Sequence, residues 1–248
     1  MPGGAEGTVG RTAVRRVLRP QLNRIVVVLS ALVLLPAIVV AERIRRGTGR
    51  PVARRGVLFV AQLCGVTFDV RGWRDDLAGS LFVANHSSPM DIPAMLVAAP
   101  DVRFVAAADL FRVPLLASAI RAIGTLPIDR RDHDRATDQL DRMTARGAAG
   151  GPDDLVVFAE GGIAPPGRML PFKTGAFVLA IRAARPVLPV AIRGSDRVLA
   201  PHGRLLVRPG VVTVEFLDPV ATVGLTIDDR HVLRDHVQAV VRTAADAA

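Results

Sequence analysis

The chain of 248 residues has no tyrosine, one tryptophan and one cysteine, and aromatic residues make up 4% of it. Its single cysteine, Cys64, excludes an intrachain disulfide and a cysteine cluster for zinc, and it permits a reducing, cytosol-facing location. The shortage of aromatics, without any recognisable nucleic-acid module, argues against a nucleic-acid partner despite a net charge of +9. Lysine is almost missing as well: Lys173 is the only one among 32 basic residues. Histidine is sparse, and four of the five read as ordinary residues: His133 on a charged stretch, His202 near a turn, and His231 and His236 spaced by five, off a common helical face. No metal site is expected from them.

What the chain does have is unevenly placed. Residues 1–55 hold eleven arginines against Glu6 and Glu42, a net +9 that equals the charge of the whole chain, so residues 56–248 are neutral overall. The basic surface belongs to the N-terminus. Because its arginines flank a hydrophobic stretch, anionic lipid is the partner it fits. That stretch, Ile25 to Ala41, is an unbroken apolar run of seventeen residues. As a helix it would reach about 25 Å, at the lower limit for a bilayer core of roughly 30 Å. Pro36 would kink it, so the run reads as a membrane anchor, either a short span or a kinked helix dipping into one leaflet. Dense arginine after it opposes a signal peptide cleaved near Val39 to Ala41, and flanking charge disfavours a buried core helix. A second apolar segment, Gly56 to Phe68, either packs beside the first or continues onto the surface.

From Thr67 onward short Val, Leu and Ile-rich runs alternate with helical patterns. Strands are predicted at 67–71, 80–84, 103–107, 125–128, 154–158, 187–192, 204–208 and 211–216, and helices at 88–99, 109–122, 132–147, 174–184 and 228–246. This is the pattern of a single α/β domain: a mostly parallel or mixed sheet flanked by helices, preceded by an apolar helical anchor. The expected division is 1–24 as a basic, partly disordered N-terminus, 25–66 as a membrane-associating segment and 67–248 as the α/β domain.

Three stretches carry chemistry. In Asn85-His86-Ser87-Ser88-Pro89-Met90-Asp91, a histidine on a strand-to-helix turn precedes by five residues an aspartate in the first helical turn, with Ser88 as N-cap and Pro89 at N1. The carboxylate is favoured at the positive end of the helix and can fold back to hold one imidazole nitrogen, leaving the other to accept a proton as a general base. Phe158-Ala159-Glu160-Gly161-Gly162 leaves a buried strand in a loop where backbone can approach a ligand, and Gly124 to Arg130 is a strand ending in an acid and a base. His86, Arg130 and Glu160 all fall at carboxyl ends of strands, where sites gather in open sheets.

In order, N-H-x-x-x-x-D at 85–91, I-D-R at 128–130, F-x-E-G at 158–161, L-P-F-K-x-G at 170–175 and P-V-x-P-V at 186–190 resemble the glycerolipid acyltransferase family that includes 1-acylglycerol-3-phosphate acyltransferases. The resemblance covers roughly residues 65–220. It implies an O-acyltransferase associated with the cytoplasmic face of a membrane, using acyl-CoA or acyl carrier protein as co-substrate and no cofactor or metal. It assigns His86 as the base and Asp91 as its support, with Arg130, Glu160, Gly161, Arg168 and Lys173 around the acceptor. Two departures stand out: relatives usually carry arginine where this chain has Ile163, and lysine where it has Ala107. A phosphate monoester needs cationic or N–H partners. The open alternatives are therefore a different lysolipid or hydroxylated acceptor, a thioesterase that uses water, or a non-catalytic lipid-binding scaffold.

Overall fold

The computed structural model describes residues 6–74, 77, 79–99, 101–128, 155–201 and 205–247. The apolar run lies within α1 (Glu6–Ile44), which contains Pro20 and Pro36. The chain then turns back as α2 (Gly49–Cys64). Side chains close this turn: Glu42 accepts hydrogen bonds from the Gly47 and Gly49 amides, and the Thr48 hydroxyl donates to the carbonyls of Ala41 and Arg45. Gly56 faces Leu34 across the pair, and any β-carbon there would collide with the leucine. The second apolar segment thus packs beside the first. It gives up its helix at Gly65, whose φ of +71° forms a left-handed cap.

Among the described residues seven strands follow: β1 (Val66–Arg71), β2 (Leu81–Ala84), β3 (Arg103–Ala107), β4 (Leu126–Ile128), β5 (Leu155–Phe158), β6 (Val187–Arg193) and β7 (Gly210–Phe216). They form one sheet in the order β1-β7-β6-β2-β5-β3-β4. The pairings β6–β2, β2–β5, β5–β3 and β3–β4 are parallel, β7 is antiparallel to β6, and β1 is parallel to β7. The sheet is therefore mixed. Its central strand, β2, is buried along its whole length, as the unbroken run Leu81-Phe82-Val83-Ala84 requires of a strand covered on both faces.

Period-two alternation splits that run between two cores. Phe82 and Ala84 pack on the side of the helix pair, with α3 (Asp91–Ala98) and α4 (Pro114–Ala122). Leu81 and Val83 pack on the other side, against α5 (Gly175–Arg182) and the C-terminal helix α7 (Arg230–Asp246); a short α6 (Ser195–Val198) follows β6. Each fully buried large side chain of this kind stabilises by about 1.5–3 kcal/mol. A buried amide on α1 helps tie the helix pair to the domain: Asn23, 4% exposed, donates to the carbonyls of Cys64 and Val207 at 3.1 and 2.9 Å.

Three expectations change. Residues 205–208 are not a strand: Leu205 takes φ of +53°, incompatible with a pleated ladder, and Val207 is buried under Asn23 instead. The helix expected over 109–122 is interrupted, with a 3-10 turn at Ala108–Arg112 and α4 beginning at Pro114, because the residue before a proline is driven out of helical geometry and Val113 is extended. The helix expected from 88 begins at Asp91, so Ser88 does not cap it; the Ser88 hydroxyl donates to the Leu199 carbonyl. The helix expected over 132–147 lies outside the described residues.

Candidate active site

β2 and β5 are neighbours in parallel register, with Ala84 opposite Phe158, so two residues further on His86 and Glu160 leave the sheet side by side. Their contact fixes the backbone of the loop. The His86 amide donates to Glu160 Oε1 at 2.7 Å and the Leu170 amide to Oε2 at 2.6 Å, so one buried carboxylate clamps two loops. Burial pushes the Glu160 carboxyl above its ordinary range, and the two amide bonds and nearby His86 pull part of the way back. On the opposite flank Asn85 stands in for ladder backbone: its Nδ2 donates to the Ile192 carbonyl at 2.9 Å and its Oδ1 accepts from the Ile192 amide at 2.8 Å. The His86 carbonyl accepts from Ala164 N at 2.8 Å.

The imidazole is held on two sides. Asp91, fully buried as the first residue of α3, places Oδ2 2.8 Å from His86 Nδ1. A carboxylate can only accept, so Nδ1 carries the proton and the lone pair lies on Nε2, which makes no hydrogen bond to a described residue. The same Oδ2 accepts from the Ser87 and Ser88 amides at 2.8 and 2.9 Å, which locks the carboxylate against the loop it orients. The Phe158 ring stacks on the imidazole with centroids 4.2 Å apart and planes 19° from parallel. The histidine side chain remains 12% exposed, whereas that of Asp91 is fully buried.

Around this dyad the loop after β5 supplies further groups. Gly161 has φ of +75°, and a β-carbon there would lie 2.8 Å from Lys173 Cε, so the lysine stem runs directly against this glycine. The Lys173 amide donates to the Ala159 carbonyl at 2.8 Å, pinning the returning strap. The structure therefore brings together His86, Asp91, Glu160, Gly161 and Lys173. Arg168 is exposed further out on the same loop, and Arg130 lies outside the described residues. Sequence reasoning passed over Asn85 and Phe158. Both stood inside quoted motifs, yet their roles depend on partners more than seventy residues away, or on stacking that no spacing reveals.

Beside the dyad is an almost wholly apolar cavity of about 380 Å³ between the helix pair and the sheet. Pro89 and Met90 of the His86–Asp91 turn form one wall, and Leu34, Ile38, Val57 and Leu116 form others. Among the described residues no group of three or more His, Cys, Asp or Glu side chains is placed to hold a metal ion.

A histidine held by a buried carboxylate, beside an almost wholly apolar cavity, suits acyl transfer, and the comparisons agree. A family model described as Acyltransferase matches residues 73–193. Mouse 1-acyl-sn-glycerol-3-phosphate acyltransferase alpha is 31% identical over 205 residues, 81% of this chain and 71% of its own length. The chain belongs to the acyltransferase family. The crystal structure of PlsC, the 1-acyl-sn-glycerophosphate (LPA) acyltransferase from Thermotoga maritima, superposes with a TM-score of 0.71 at 25% identity and covers 94% of this chain and 100% of that one. The chloroplastic relative BAT2 of Brassica napus is 28% identical over 56% of this chain, which spans 40% of that longer protein.

Proposed function

We propose that the protein is a membrane-associated 1-acylglycerol-3-phosphate O-acyltransferase that takes its acyl group from acyl-CoA or acyl carrier protein and yields phosphatidate. The observation that carries this reading is the His86 Nδ1 to Asp91 Oδ2 bond of 2.8 Å, which leaves Nε2 as a base on a rigid turn. In the proposed reaction Nε2 removes the proton from the acceptor hydroxyl as its oxygen attacks the thioester carbonyl. Collapse of the tetrahedral intermediate expels the thiolate, which takes the proton back from the imidazolium. Asp91 supports the positive ring throughout, and holding both substrates together removes the cost of a bimolecular encounter.

Lys173 beside Gly161, with Arg168 and Arg130, is the proposed set of phosphate partners. Membrane attachment is supported by a 25-residue apolar stretch, Pro20–Ile44, long enough to cross a bilayer. Exposed Leu29, Leu32 and Val33 on α1 and Phe59 on α2 agree with it. The cytoplasmic face is part of the same proposal. Ile163, half-buried where relatives usually carry arginine, favours a second reading in which the chemistry is retained but the acceptor lacks a phosphate monoester.

The test is acyl transfer from labelled acyl-CoA by detergent-solubilised wild type and His86→Ala, with lysophosphatidate and phosphate-free or diester lysolipids offered separately. His86-dependent transfer to lysophosphatidate is the expected result. His86-dependent transfer only to the other lipids would establish the second reading, and no transfer to any acceptor would overturn both.

A further inference from the structure

At the opposite end of the sheet from His86 lies an open groove of about 820 Å³. Its position follows from the strand directions. Arg103 opens β3 and pairs with Leu155, the first residue of β5, whereas Glu160 lies beyond the last, so roughly 15 Å of strand separates the groove from the site. Arg50, Arg54, Arg55, Arg103 and Arg121 line it, against the carboxylates of Glu42 and Asp101. Glu42 is already occupied by the Gly47 and Gly49 amides. Arg50 donates from Nε to the Ile123 carbonyl and from Nη1 to the Asp101 carbonyl, and Arg54 from Nε to the Val97 carbonyl, so their guanidinium groups are held in place before any ligand arrives. Arg55 and Arg121 are exposed.

This groove adjoins the apolar face of the helix pair. Arg55, Phe59 and Leu63 follow one another at four-residue spacing on α2, so the arginine is one turn from exposed apolar side chains on the same stripe. On α1 the exposed apolar face continues through Val40 to Ile44 at the same end. We infer that the groove is a second phosphate-binding site, separate from the acyl-transfer site, that takes the headgroup phosphate of an anionic membrane lipid when the apolar face is seated in the bilayer. The inference rests on the membrane-associated reading given above. A cluster of guanidinium groups, two of them anchored and a third, Arg55, one helical turn from exposed apolar residues, matches the depth at which headgroup phosphates lie.

The experiment is sedimentation of full-length protein with vesicles of phosphatidylcholine alone and of an equimolar mixture with phosphatidylglycerol, at low and high salt. Wild type is compared with Arg55→Gln/Arg121→Gln, two exposed positions outside the acyl-transfer site, and the variant's activity in detergent serves as the folding control. The expected result is tighter, salt-sensitive binding of wild type to the anionic vesicles, about thirtyfold weaker in the variant, with neutral vesicles bound equally by both. Equal affinity of wild type and variant for anionic vesicles would overturn the lipid site while leaving membrane association intact. Failure to bind either vesicle would overturn both. A variant that loses affinity for coenzyme A in solution but keeps its anionic vesicle binding would assign the groove to a soluble phosphate and also overturn the inference.

Discussion

At the scale of single residues the site depends on carboxylates whose partners are mostly backbone amides. Glu160→Gln keeps one acceptor oxygen but turns an NH₂ group toward the other amide, so His86 N or Leu170 N loses its partner inside the protein. A loss of about 1–3 kcal/mol in urea denaturation is expected, with transfer falling as the loop slackens. The pH dependence has a definite sign. Burial raises the Glu160 carboxyl in the fold, so its contribution to stability is full below the ordinary glutamate value and is lost as pH rises through the raised one. The stability gap between wild type and Glu160→Gln should therefore be wider below the ordinary glutamate value than above the raised one. Asp91→Asn is expected to leave KM nearly unchanged and to lower kcat by about 10²–10⁴, because a neutral amide still accepts from Nδ1 but no longer supports the charged ring. Steady-state kinetics on the proposed acceptor separates the two parameters. The His86–Asp91 pair was legible because it is local: five residues on one turn. The clamp from Glu160 was not, since it is a contact across 74 positions; the resemblance implies a place for this glutamate around the acceptor and says nothing of the two backbone amides its oxygens accept from.

At the scale of elements, close approach decides which substitutions are tolerated. A β-carbon on Gly49 would lie 2.6 Å from the Ala122 carbonyl oxygen, backbone that cannot swing away, whereas on Gly56 it would meet only the end of the Leu34 side chain. Gly49→Ala should cost about 1–3 kcal/mol by lifting the helix pair off α4. Gly56→Ala should be nearly neutral, as a rotated Leu34 is offset by the roughly 1 kcal/mol that alanine adds over glycine in a helix. Urea midpoints of the two variants give the comparison. Most strands were legible as runs of branched apolar residues, and β2 as a continuous one. The failures have local causes. Leu205 and Val207 alternate like a strand, but backbone dihedrals outweigh alternation there, and the break at Val113 follows from Pro114, a rule available in the sequence and not applied to it.

At the scale of the molecule, the helix pair gives the domain one apolar side. Leu32 is 64% exposed and Phe59 61%, on α1 and α2 respectively. Leu32→Glu/Phe59→Glu should move the protein from neutral vesicles into the supernatant in a sedimentation assay, while transfer to a short-chain acceptor dissolved in water is retained. The two-faced sheet and the apolar N-terminal helix could be read from composition and alternation. The strand order could not, because β1 joins the sheet beside β7, a pairing between Val66 and Gly210 that no local pattern encodes.

That last pairing has a consequence for biosynthesis. Among the described strands β1 sits at the sheet edge with β7 as its one neighbour, directly after the two helices, so on the ribosome it emerges early and waits for a strand made well over a hundred residues later. During that interval the helices are already out and able to settle on a membrane, while the strand that joins them to the finished sheet has no mate. On the proposed membrane attachment, the nascent chain reaches the bilayer before it is an enzyme, and a product released short of β7 would stay there with its sheet left open.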